Sequence, residues 1–170
     1  MPVLSYIFQK DRGMKMKVGI IVFSYTGNTA SAADEIKKAL SKKGHTVKIE
    51  MIETDGDAQK MKEDIRFRNK PKTGSYDALI LGSPVWGFTL PPVMKKYLED
   101  LPPLKGKKCI PYVTKQLSPH WLGGNQSVKK MKKIVESKGG EVPGTGVIVW
   151  KKKGPTEDLS VVVKKINDLI

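Results

Sequence analysis

Short, unbroken apolar runs alternate with amphipathic helical patterns about five times along this 170-residue chain, and nothing constrains its fold more. The runs lie at residues 18–23, 46–52, 78–81, 109–113 and 146–150. Most do not alternate polar with apolar residues and so read as strands buried on both faces. Between them, apolar residues recur at helical spacing. Ala32, Ala33, Ile36, Ala39 and Leu40 share a face of a helix over 29–43, and Gly44 stops it. Asp57 caps a weaker helix with Ala58, Met61 and Ile65 on one side. Pro91 and Pro92 open a helix with Val93, Met94, Tyr97, Leu98 and Leu101 inward. Val128, Met131, Ile134 and Val135 mark a helix over 127–137, and Leu159, Val162, Val163, Ile166 and Leu169 mark one from Thr156. This pattern predicts an α/β fold, a doubly wound, five-stranded parallel sheet with helices on both faces, for which 2-1-3-4-5 is one of the two common strand orders. In such sheets ligands sit beyond the carboxyl ends of the strands, where the strand order reverses.

The length suits one domain, placed at residues 16–170, preceded by an N-terminal extension over 1–15. That extension has its apolar part before its charges, the reverse of a signal peptide. No apolar run reaches membrane-spanning length. The single cysteine, Cys109, fits a reducing, cytoplasmic setting, and two histidines without ligand spacing argue against a metal. The net charge is +14, but the lysines come as dispersed pairs on polar helix faces. That speaks against a nucleic-acid footprint and for partners with acidic surfaces.

Three loops would meet at one sheet edge. The first is Ser24-Tyr25-Thr26-Gly27-Asn28-Thr29. Small hydroxyl residues around one glycine, entering a helix that Asn28 or Thr29 caps, make an anion site from free N–H groups and a helix dipole. The loop has no lysine and no Gly-x-Gly-x-x-Gly, so it suits a terminal phosphate monoester better than a nucleoside triphosphate or dinucleotide. The second loop runs through Ser83, Pro84, Val85, Trp86, Gly87 and Phe88. The third, residues 114–126, carries Thr114, His120, Trp121, Gly123 and Gly124 and has no carboxylate. His120 reads as a solvated loop histidine. Aromatic side chains beside flexible backbone suit a flat ring system.

These loops resemble those of the flavodoxin family. The Ser24 to Thr29 loop is similar to that family's phosphate loop, and Gly82-Ser83-Pro84-Val85-Trp86-Gly87 to its second flavin loop. The third loop corresponds by position, and its paired glycines resemble those of flavodoxin-like reductases more than the acidic, tyrosine-bearing loop of flavodoxins. The resemblance covers residues 16–170 and is of the short-chain kind. It implies noncovalent flavin mononucleotide (FMN), its phosphate on Ser24, Thr26, Gly27, Asn28 and Thr29 and its ring between the second and third loops. Trp86 would pack on the ring with Trp121 nearby, and Gly87 would be the glycine whose peptide reorients on reduction. It implies an electron carrier between redox partner proteins. The alternative is an oxidoreductase of the same fold that takes hydride from NAD(P)H and reduces a quinone. No acid, base or nucleophile is then required of the protein, and no Ser/His/Asp or Cys/His arrangement stands out. The basic balance, with Lys115 the nearest cation in sequence, implies a less negative last reduction step than in acidic flavodoxins.

Overall fold

The computed structural model describes residues 14–170; most of the expected N-terminal extension lies outside them. Five strands form a parallel array: β1 (Lys17–Val22), β2 (Thr46–Met51), β5 (Ala78–Pro84), β6 (Lys108–Lys115) and β7 (Gly146–Lys151). A sixth strand, β8 (Gly154–Pro155), turns back antiparallel on β7, so the sheet has six strands rather than the five expected. The order across it is β2-β1-β5-β6-β7-β8. Of the basic stretch Lys151 to Lys153, Lys151 ends β7 and Lys152 and Lys153 make the turn of this hairpin.

Successive side chains of a strand point to opposite faces, and each face here has its own core. Val18, Ile20, Val22, Ile80, Ile110 and Tyr112 pack with α1 (Asn28–Lys42) and α4 (Asp158–Leu169). Ile21, Leu79, Leu81, Cys109 and Val113 pack with α2 (Pro92–Glu99) and α3 (Gly124–Ser137). Burial on both sides is why the inner runs are apolar without alternation, whereas the edge strand β2 alternates and leaves Thr46 and Lys48 exposed. Ile36 and Leu40 of α1 are fully buried, each worth roughly 1.5–3 kcal/mol relative to exposure.

The helix expected after Asp57 does not form. Only a single tight turn, Ala58–Lys60, follows, with the Asp57 carboxylate accepting from the Gln59 N–H at 3.0 Å. Beyond it β4 (Phe67–Asn69) pairs antiparallel with β3 (Glu53–Thr54) as a small second sheet. The apolar residues Ala58 and Met61 are buried here without helical geometry. No helix among the described residues is long and apolar enough to cross a membrane.

Candidate functional site

A cavity of about 690 Å³ opens beyond the carboxyl ends of β1, β5 and β6. It lies within the size range of small-molecule sites. Three connections build its walls.

The first follows β1. Gly27 takes a left-handed conformation (φ 97°) and is the residue from which α1 starts. Asn28 and Thr29 are therefore the first helical residues, not its caps as the sequence suggested. The Ala30 N–H donates to Ser24 Oγ at 3.3 Å and the Ser31 N–H to the Gly27 carbonyl at 2.9 Å. Among the described residues, the N–H groups of Thr26, Gly27, Asn28 and Thr29 find no acceptor. Tyr25, Thr26 and Asn28 line the cavity. Thr29 turns inward instead: its hydroxyl shares a 2.7 Å hydrogen bond with that of Thr114 beneath the floor, and the Tyr112 hydroxyl donates to its carbonyl at 2.8 Å. Gly82 allows that tyrosine, because a Cβ there would overlap its ring.

The second connection follows β5. Pro84, Val85, Trp86, Gly87 and Phe88 all line the cavity, whereas Ser83 is fully buried and its hydroxyl donates to the Pro84 carbonyl at 2.9 Å. Trp86 and Thr89 exchange both backbone hydrogen bonds at 2.9 Å around a two-residue turn. Gly87 (φ 52°) and Phe88 (φ 66°) both have positive φ, as a type I′ hairpin turn requires. Trp86 stands edge-on between Phe23 and Tyr25, with ring centroids 5.4 Å from each. Phe88 sits at the tip, 57% exposed.

The third connection follows β6, which runs two residues beyond its apolar stretch to Thr114 and Lys115. Both residues are buried and line the cavity, as do Gln116, Leu117 and Leu122. Gly123 and Gly124 do not reach it. Gly123 (φ 83°) starts α3 and lies so close to the second connection that a Cβ would come within 2.5 Å of Phe88 Cα. The space beside Gly124 holds the Lys115 Cδ and Val147. Gly123 thus lets two walls touch backbone to backbone. Trp121 lies elsewhere: 63% exposed, it borders a separate hollow of about 490 Å³ on the outer side of the loop. His120 is there too, and it is not simply solvated. Its Nε2 lies 2.9 Å from the Asp158 carboxylate, which also accepts from the Val149 N–H at 3.0 Å. Burial alone would raise the Asp158 pKa. The hydrogen bonds from His120, Val149 and Thr156 outweigh it and hold the carboxyl below its usual range.

Of the residues singled out in the sequence, Tyr25, Thr26, Asn28, Pro84, Val85, Trp86, Gly87, Phe88 and Thr114 meet around one cavity. Ser24, Gly27, Thr29, Ser83, Gly123 and Gly124 shape its walls without lining it. Gln59, Gln116, Leu117 and Leu122 were not among them, and Lys115 was singled out only as the nearest cation. Gln59 arrives on the tight turn after Asp57, in a stretch that reads as a helix. Lys115 reads as the start of a loop because it follows the apolar run. The Cys109 thiol, pushed up to about 12 by burial, is a core group and no nucleophile.

The family model for the flavodoxin-like fold matches residues 16–101, half of the chain. A flavodoxin from Streptococcus pneumonia TIGR4 is 22% identical with a TM-score of 0.63, covering 89% of this chain and 95% of its own. Oxidised flavodoxin 2 from Bacillus cereus is 24% identical with a TM-score of 0.64, over 92% and 100%. A short-chain flavodoxin associated with a non-canonical PDU bacterial microcompartment is 16% identical with a TM-score of 0.66, over 91% and 95%. No curated protein matched the sequence. The cavity stands where three connections of a parallel sheet meet, and the chain belongs to the flavodoxin-like family.

Proposed function

We propose that this protein binds FMN noncovalently and carries electrons between larger redox proteins. One observation carries the reading. Four backbone N–H groups at the start of α1 lack protein acceptors at the same cavity that Trp86 and Phe88 line. A helix N-terminus with free donors favours a phosphate dianion, and the Thr26 hydroxyl and Asn28 amide are neutral donors beside it. The aromatic turn offers a flat ring an apolar face with a glycine peptide alongside. The residues therefore fit FMN. Gly27 is needed where the chain turns left-handed at the phosphate end. Thr29 and Thr114 support that end from below and leave the N–H groups free for the ligand. FMN when bound supplies the one- and two-electron redox chemistry, so the chain's own work is to hold, orient and shield it. Its partners are redox proteins with acidic surfaces, a reading supported by the net charge of +14.

Binding is tested by titrating ligand-free protein with FMN, FAD and riboflavin while following tryptophan fluorescence. FMN quenches it and binds tightest, and riboflavin, lacking the phosphate, binds at least about tenfold more weakly. Stepwise reduction then separates carrier from reductase. Two separable one-electron steps with slow NADPH oxidation fit the carrier, and rapid NADPH oxidation fits the hydride-accepting enzyme. Equal affinity for FMN and riboflavin would overturn the phosphate assignment.

A further inference from the structure

Lys115 is the last residue of β6 and only 6% exposed, an unusual place for a lysine. Its ammonium points into the loop that follows, donating to the Pro119 carbonyl at 2.6 Å and to the Leu122 carbonyl. These acceptors lie four and seven residues on in the chain. Its stem runs beside Gly124, where a Cβ would come within 3.1 Å of Cδ. No carboxylate pairs with it among the described residues. None occurs in residues 114–126 either. An ammonium has three N–H donors, and the protein supplies acceptors for two. Lys115 also lines the cavity.

We propose that Lys115 is the positioning residue of the third cavity loop and the fixed cation that makes the cavity favour FMN in its anionic, reduced form. The inference rests on the FMN reading. A buried, unpaired charge is costly and is retained where its hydrogen bonds are satisfied and its field is used. Two carbonyls orient the ammonium without neutralising it. A negative charge gained by the ligand then meets a preoriented cation in a medium that screens poorly. Burial lowers the lysine's pKa, and no neighbouring carboxylate raises it again, consistent with an uncompensated cation. A purely structural clamp would affect oxidised and reduced FMN alike; a charge carried by a cavity-lining residue does not.

Two variants separate these roles. Lys115→Gln keeps amide donors for the carbonyls and removes the charge. Lys115→Met keeps length and removes both. The affinities of each protein for oxidised and reduced FMN are measured anaerobically. Both variants weaken reduced FMN about tenfold more than oxidised FMN, a fall of about 30 mV in the two-electron midpoint. The clamp is tested without ligand. Chymotrypsin cuts the Met variant within residues 116–122 about fivefold faster than the parent, with the Gln variant in between. Equal weakening of both redox forms would overturn the cation's role, and unchanged cleavage of the Met variant would overturn the clamp. If the Met variant fails to fold, the Gln variant decides the charge and its cleavage the clamp. A parent protein that binds no FMN overturns the functional reading and with it the cation's role, while cleavage still decides the clamp.

Discussion

Phe88 occupies a left-handed backbone conformation that costs an L-residue about 1–2 kcal/mol, and it does so at the exposed tip of a hairpin turn. A half-exposed ring gains little from burial there, so its cost is one that a ligand-facing role explains. Replacing Phe88 with glycine relieves the strain, less the extra freedom of the unfolded chain, and raises stability by about 0.5–1 kcal/mol in urea unfolding. The same variant binds FMN more weakly. A loss of stability would show that the ring is a packing element. The two threonines of the first connection separate just as cleanly. Thr26 borders the cavity, so Thr26→Ala weakens FMN at least about tenfold and leaves riboflavin unaffected. Thr29 is buried against Thr114, so Thr29→Ala instead costs stability, about 1–3 kcal/mol for the orphaned hydroxyl partner. Sequence spacing puts both threonines on a phosphate. It cannot say which one the start of α1 turns inward.

Two elements meet at Gly123, and the contact leaves no room for a side chain. Gly123→Ala brings both a strained φ and an overlap with the Phe88 backbone. It should destabilise the protein by more than about 1 kcal/mol and weaken FMN, read together in a thermal melt with and without ligand. Another element, the turn after α1, carries a titration. His45 Nδ1 accepts from the Met16 N–H at 3.0 Å, and its Nε2 is buried without a partner. Burial, with help from Lys43, lowers its pKa below 6.5. The folded state then binds fewer protons than the unfolded one. Stability is full above pH 6.5 and falls as the pH drops from there to the lowered folded value. Urea midpoints between pH 7.5 and 5 should fall for the parent, and His45→Gln should lack that component of the slope. The strands and main helices were legible because burial on two faces leaves unbroken apolar runs and burial on one face leaves helical spacing. Residues 57–69 were not, because Ala58, Met61 and Ile65 keep helical spacing while packing from a tight turn and the irregular segment after it. The His120–Asp158 pair joins residues 38 apart in the chain, and no local pattern announces it.

At the scale of the whole molecule the charge of +14 acts through a field rather than through contacts. Electron transfer to an acidic redox partner should be fast at low salt and slow as ionic strength rises from ~0.05 to ~0.5 M. Basic partners should react more slowly throughout. Stopped-flow rates with one partner of each sign decide this, and faster reaction with the basic one would show that the field does not govern encounter. The last reduction step should also lie at a less negative potential than in an acidic flavodoxin, chiefly through nearby charge, since a Debye length of about 10 Å hides distant lysines. One edge of the sheet has a consequence for self-association. β8 covers the end of β7, Trp150 and Lys151, with only two residues, the second of them Pro155. Proline has no N–H to offer a further strand, and a two-residue ribbon gives an incoming backbone almost nothing to grip. The end of β7 is therefore a terminator: an incoming backbone that docks on β8 gains almost no hydrogen bonds from it.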